Sequence, residues 1–311
     1  MILFGNSKFF ALIFILLLST KVFALENKII LKVNNEIITS MDVKKEINYL
    51  KVFNKNINKL KSDEIFLIAK KNLLKEKIKQ NEILKYVKEI KVDKKYHDLY
   101  IKSTYKKLGF NSEYDFFKYI NENNLPIDII KKKISTQYLW NQLIVSKFAN
   151  KININEEKLK DKIIKRKNQN IKSFLLSEIL FNISKNENLK SKYEEIKKNI
   201  YKNGFENAVL MHSLSETNND NGKLGWIKED VLSDKILNSL KNTKIGEITK
   251  PITVPGGFLI LKIQKIKSEE IKLNVERELK TLIKLETNKQ LEQRSNIYFN
   301  RIKKNNIINE L

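Results

Sequence analysis

The sequence predicts an α+β protein: a mostly α-helical unit built from both ends of the chain, with a small α+β domain inserted between them. Three observations predict it. Apolar residues at helical spacing run from residue 40 to about 150 and again over 269–304, with almost no Gly or Pro to interrupt them. Six of the eight glycines lie between 204 and 257, which concentrates tight turns in one stretch. That stretch is bracketed by two β-type apolar runs, Phe174–Phe181 and Phe258–Ile263. With 311 residues the chain has room for two domains at roughly 100–200 residues each. Its 41% hydrophobic content excludes disorder as the main theme.

Taken in order, the chain opens with Lys8, the apolar run Phe9–Leu18 and Val22-Phe23-Ala24, the layout of a signal peptide cleaved after Ala24. The run falls short of the ~20 residues that span a bilayer as a helix. The competing reading is an uncleaved anchor running to Leu25. No later run is long enough to cross a membrane as a helix, so the mature chain is expected not to span one.

Residues 28–33 and 36–39 are β-type runs on either side of Asn34-Asn35, a turn that tolerates positive φ, and they predict a hairpin. Thr39 or Ser40 then caps a helix through Leu50, whose Val43, Ile47 and Leu50 share one face. Further helices are predicted over 63–88, 93–108, 112–121 and 128–150, with Gly109 placed to end the one before it. A helical connector over 156–167 leads to the first strand run, and a helix over 186–203 stops at Gly204 ahead of a short one through Phe205–Val209. The stretch 269–304 carries Ile271, Val275, Leu279, Leu282, Ile283, Leu291, Ile297 and Phe299, a stripe that needs a packing partner. The terminal Ile307-Ile308 is expected to add a strand to the open edge of the hairpin.

Composition removes several chemistries. No cysteine occurs, which excludes disulfide frameworks, thiol redox chemistry and lipid attachment through an N-terminal cysteine. Only His97 and His212 offer imidazoles, and no metal constellation, nucleophile–base pair or phosphate-cradling glycine loop is present. The net charge of +24 would ordinarily raise nucleic acid as a partner. Only four of the 60 basic residues are arginine, however, and the lysines are scattered rather than clustered.

The order and spacing of Gly204-Phe205, Asn221–Trp226, Lys244–Pro251 and Gly257–Ile263 resemble a parvulin-type (PpiC, rotamase) peptidyl-prolyl isomerase domain. Lys32–Val43 resembles the start of the SurA-type periplasmic chaperones, whose helical N-terminal domain precedes parvulin repeats. Uncatalysed rotation about a peptide bond faces a barrier of ~18–20 kcal/mol. The resemblance implies how active parvulins lower it for X-Pro bonds: two buried histidines, a nearby Cys or Asp, and an apolar pocket for the proline ring. Laid onto this sequence, the histidine positions fall on Glu178 and Leu259, and the Cys/Asp position on or near Ser215. The pocket pair falls on Leu232 and Ile236, and a Thr/Ser pair on Val254 and Gly256. None of the polar groups stands as the family has it, so no catalytic residue is assigned among these degenerate positions. His212 matches neither histidine position.

Leu232 and Ile236, read as i and i+4 of a short helix capped by Ser233 or Asp230, are equally a peptide-binding pocket or plain core. Trp226 is open between packing and peptide contact, and Val254 is placed with the peptide-binding group. Glu178 inside an apolar strand has no bland account, because an unpaired buried carboxylate is costly; it is expected to pair with a lysine or reach the groove.

These readings give a signal peptide over 1–24, an N-terminal helical chaperone domain over 25–168 and a parvulin-like domain over 172–267. A C-terminal helix and short strand over 269–311 pack back on the N-terminal domain. The function implied by the resemblance is a periplasmic chaperone that binds unfolded or nascent envelope polypeptides, outer-membrane proteins among them. It has a weak or inactive parvulin domain and uses no cofactor, no metal and no nucleic acid. The rivals are an active peptidyl-prolyl cis-trans isomerase and a basic protein held on an anionic surface.

Overall fold

The computed structural model describes residues 27–164, 170–184, 186–270 and 274–310, so the expected signal peptide lies outside the described residues. The chain opens with an antiparallel hairpin, β1 (Ile29–Val33) and β2 (Glu36–Thr39), turning at Asn34 with φ of 55°. Thr39 caps α1 (Ser40–Phe53) in a reciprocal capping box: its hydroxyl accepts from the Asp42 N–H, and Asp42 accepts from the Thr39 N–H. A 3-10 turn at Lys55–Lys59 leads into α2 (Ser62–Ile83). Next come α3 (Lys94–Lys107), α4 (Glu113–Glu122), α5 (Ile127–Phe148) and α6 (Glu156–Ile164). At the far end of the chain, α10 (Val275–Lys304) returns along these helices, and β7 (Ile308–Glu310) pairs antiparallel with β1, giving the sheet order β2-β1-β7.

Both chain ends share one core. Leu31, Val33, Val43, Ile68, Ile78, Trp140 and Ile144 from the N-terminal elements close around Tyr298 and Ile302 of α10. Trp140 is fully buried; its indole N–H donates to Ser295 Oγ at 2.9 Å and its ring lies 5.9 Å from that of Tyr298. The Tyr298 hydroxyl donates to the buried Glu82 carboxylate. A second cluster, with Phe116, Ile120, Ile101 and Ile130 in it, holds α3 and α4 against α5.

The inserted unit is a four-stranded antiparallel sheet of order β4-β3-β6-β5, made of β3 (Asn170–Phe181), β4 (Lys223–Lys228), β5 (Ile252–Val254) and β6 (Gly257–Glu270). Alternation along the strands gives it two apolar faces. Ile179, Phe181 and Ile260 meet α7 (Leu189–Asn203) and α8 (Phe205–His212) on one face. Phe174, Leu176, Leu259 and Leu261 meet α9 (Asp234–Lys241) and β5 on the other.

Several element boundaries differ from expectation. The helix expected to reach residue 88 stops at Ile83, and Val87 and Ile90 still pack on the core from irregular chain. The helix expected from 186 starts at Leu189, where the Asn188 side chain accepts from the Lys190 N–H. The stretch read as helical from Glu269 is strand through Glu270, and the helix begins at Val275, capped by Asn274. Ile271 lies outside the described residues. Ile297, read as part of the buried stripe, is exposed, because Ser295, Tyr298 and Ile302 form the inward row one position away. The connector read to residue 167 is described as helix through Ile164.

Candidate functional site

Glu178 sits on β3 opposite Leu261, and Leu180 sits opposite Leu259, so Glu178 and Leu259 share one face of the inserted sheet. After α8 the chain runs Ser213-Leu214-Ser215 into a 3-10 turn at Glu216–Asp220 capped by Ser215, and this path brings the hydroxyls of Ser213, Ser215 and Thr217 to β3. Ser213 Oγ accepts from the Leu180 N–H at 3.3 Å. Ser215 Oγ lies 2.6 Å from Glu178 Oε1, and Thr217 Oγ1 donates to the same oxygen at 2.9 Å. Ser215 Oγ also lies 2.8 Å from Oε1 of Glu292, delivered by α10.

A serine has one hydroxyl proton. It cannot serve two carboxylates, so the second contact becomes a hydrogen bond when one carboxyl keeps its proton. The electrostatics agree: burial, reinforced by the Glu292 charge, pushes the Glu178 carboxyl up to about 7, and burial raises Glu292 as well. Glu216, the first residue of that 3-10 turn, faces α2, where Lys79 Nζ approaches to 2.9 Å and Lys75 Nζ to 3.4 Å. Burial works against the Glu216 charge, but the two ammonium groups win and hold its carboxyl down at about 2. The expected lysine partner of Glu178 is therefore not what the structure supplies. Hydroxyls satisfy it, and the lysines go to its neighbour.

The structure gathers most of the other candidate positions into one apolar cluster. Leu232 and Leu259 are buried in it, and Ile236 and Val254 pack against its edge. Leu232 is not a helical residue, however. Ser233 is the N-cap of α9, its Oγ accepting from the Ile236 N–H, so Leu232 precedes the helix and the expected i, i+4 pair does not exist. Trp226 is not in the cluster. Its neighbour Ile227 points into it, which turns Trp226 to the opposite face, 46% exposed beneath Lys267 Nζ at 4.8 Å from the ring. Gly256 has only Asn296 Cβ, at 3.9 Å, near the position a side chain would take.

Both histidines lie elsewhere: His97 bonds Ser135 Oγ at 2.9 Å, and His212 bonds the Asn199 side chain at 2.7 Å, with burial pulling its imidazole down to about 4. Among the described residues no group of three His, Asp or Glu side chains is arranged to hold a metal ion. Thr217, Glu216, Glu292, Lys75 and Lys79 were missed as members of the Glu178 surroundings. The local signal for Thr217 was Ser215 as an N-cap ahead of Glu216-Thr217.

Gly222 fixes the approach of this loop to the strand. Its carbonyl accepts from the Glu178 N–H at 2.8 Å, its φ is 76°, and a Cβ there would stand 2.5 Å from the Glu178 carbonyl oxygen. Gly222→Ala is expected to cost at least about 2 kcal/mol, from the left-handed backbone and the clash together. Urea denaturation of the variant measures it.

Residues 178–265 match the rotamase family described as the PPIC-type PPIASE domain. The chaperone SurA of Pseudomonas putida is 36% identical over 61 residues, 20% of this chain and 14% of its own. The chaperone SurA of Pseudomonas syringae pv. tomato is 35% identical over 74 residues, 24% of this chain and 17% of its own. The chain thus matches less than a fifth of the length of these curated relatives. Among solved structures, SurA-like chaperones of Campylobacter jejuni are represented by a chain 14% identical, with 92% of this chain and 99% of that one covered at a TM-score of 0.38. Residues 178–265 thus carry a parvulin-type domain, and short stretches of the chain are similar to SurA chaperones.

Proposed function

We propose that this protein is a periplasmic chaperone that holds unfolded or nascent envelope polypeptides, outer-membrane proteins among them, and that its parvulin domain contributes little isomerisation. The observation that carries the second half is the surroundings of Glu178. Where an active parvulin has an imidazole there is a carboxyl, closed in by Ser215 and Thr217 and facing Glu292 of α10. The other histidine position is the apolar Leu259. Neither side chain can take the part of an imidazole pair around a twisted amide. Ser215, at the Cys/Asp position, is committed to the same carboxyl cluster. Leu232, Ile236 and Val254 remain as an apolar surface suited to peptide contact, and Trp226 offers an exposed ring on the opposite side of the sheet.

Support for the first half is the character of the helical surface. Leu67, Tyr96, Leu99, Tyr100 and Tyr114 are exposed large apolar or aromatic side chains of the N-terminal helices, available to contact apolar segments of an unfolded chain. No helix among the described residues is long and apolar enough to cross a membrane. In this reading residues 1–24 are removed on export, 25–168 with 269–311 form the holding unit, and 172–267 is the inserted domain.

Diluting a urea-unfolded outer-membrane protein into buffer tests the chaperone half. Light scattering is expected to fall in proportion to added protein and to vanish near stoichiometric amounts; scattering indifferent to the protein would refute it. The rotamase family match favours a second reading, catalysed prolyl isomerisation. A proline tetrapeptide assay separates the two: turnover at background is expected, and robust turnover abolished by Glu178→Ala would establish the enzyme reading instead.

A further inference from the structure

A small cleft lies between α2, the loop after α8 and α10, with a volume of about 50 Å³. At roughly 10–15 Å³ of such volume for one water, that is room for about four waters, and covalently bonded atoms, which lie closer together than waters do, are more numerous in the same space. Lys71 and Lys75 enter it from α2 and Lys303 from α10; Asn218, Ile78 and Phe299 also line it. Lys75 shares Glu216 with Lys79. Among the described residues, no carboxylate within ion-pair distance accompanies Lys71 or Lys303. The Lys71 ammonium donates instead to the carbonyls of Met211 at 3.0 Å and Ser213 at 3.4 Å. Burial, with Lys75, Lys303 and Lys192 adding to it, pulls Lys71 down to about 8, the signature of cations gathered without their anion.

A second observation specifies what the anion carries. Asn218 Oδ1 is buried and has no donor, while its Nδ2 is held by the Ser213 carbonyl at 3.2 Å, which fixes the amide orientation. The occupant therefore brings an anionic group for the lysines and a hydrogen-bond donor for Asn218, beside an apolar wall. A sulfate has no donor. The end of a polypeptide has both: an α-carboxylate, and the N–H of its last residue one bond from the same carbon.

We propose that this cleft binds the terminal α-carboxylate of a polypeptide, with the carboxylate against Lys71, Lys75 and Lys303, the last N–H on Asn218 Oδ1, and an apolar last side chain against Phe299 and Ile78. The proposal deepens the chaperone reading by naming the part of an unfolded chain that this junction recognises.

The test is fluorescence anisotropy of a labelled hexapeptide with an apolar last residue, as free acid and as C-terminal amide, on the full chain and on Lys303→Gln. Lys303 is solvent-exposed, so that variant keeps the fold. The free acid is expected to bind at least tenfold more tightly than the amide, Lys303→Gln is expected to shrink that ratio several-fold, and millimolar inorganic phosphate is expected not to displace the peptide. Equal affinity of acid and amide, a ratio unchanged in Lys303→Gln, or displacement by phosphate alone would each overturn the proposal. Equal but measurable binding of the two peptides would do so while leaving the chaperone reading in place. If neither peptide nor a urea-unfolded outer-membrane protein bound, both would fall.

Discussion

Removing residues 296–311 is expected to unfold the helical module while the inserted sheet stays folded. The deletion takes Tyr298 and Ile302 out of the core, strips Trp140 of its aromatic neighbours Tyr298 and Phe299, and pulls β7 from β1. Truncating a buried isoleucine costs about 2–5 kcal/mol and a buried aromatic about 3–5 kcal/mol. Together these rival the roughly 5–15 kcal/mol that stabilises a whole domain. The hydrogen bonds of Asn34 to Asn306 and Ile307, which tie the hairpin turn to the chain end, go with them. Hydrogen exchange on the truncated protein should show residues 29–150 losing protection and a separate 172–267 fragment keeping it. Unchanged protection in the N-terminal helices would mean that α10 is an appendage and not part of the core.

Glu178→Gln is expected to leave stability unchanged near pH 4.5 and to raise it at pH 8. The folded carboxyl titrates at about 7 against an ordinary value of 4.5. Between those pH values the folded state binds more protons than the unfolded, so this group's contribution falls as pH rises and is flat on either side. At about 1.4 kcal/mol per unit the loss is of the order of 3 kcal/mol above pH 7. Glutamine keeps the shape and the acceptor for Ser215 and Thr217 without the charge. His212 works in the opposite sense: its imidazole is held at about 4, so its contribution grows as pH rises from there to 6.5. The difference between wild type and variant in urea melts at the two pH values cancels that term. Equal stability of the two proteins at pH 8 would mean that Glu178 is ionised and fully solvated by its neighbours.

The sequence was most legible where structure is local. Asn34 in its positive-φ turn, Thr39 with its capping Asp42, and Gly109 ending α3 with φ of 84° are each decided by a few adjacent residues. The same holds for the apolar stretches Phe174–Phe181 of β3 and Phe258–Ile263 of β6, but not for the polar end of β6 at Glu269-Glu270, which reads as helix. Legibility failed where a residue's surroundings come from distant segments. Glu178 was recognisable as an anomaly, but its partners arrive from the loop after α8 and from α10, and the lysines from α2 that serve Glu216 lie about 140 positions from it in sequence. Trp226, left open between packing and peptide contact, shows a subtler limit. The motif gave its position, while the face it occupies follows from its register opposite Leu175, which no spacing within the motif reveals. Leu232 shows the same limit at a helix start, where Ser233, a good cap, moved the boundary by one residue and dissolved the i, i+4 relation.

On the proposed function, this chain holds unfolded polypeptide and contributes little prolyl isomerisation. The most direct measurement is the refolding of a client whose slow phase is prolyl isomerisation, followed at increasing amounts of this protein. Catalytic amounts are expected to leave the slow rate unchanged, and stoichiometric amounts to reduce the refolding amplitude by sequestering the unfolded chain. A slow phase accelerated in proportion to a few per cent of added protein, with full amplitude, would contradict it.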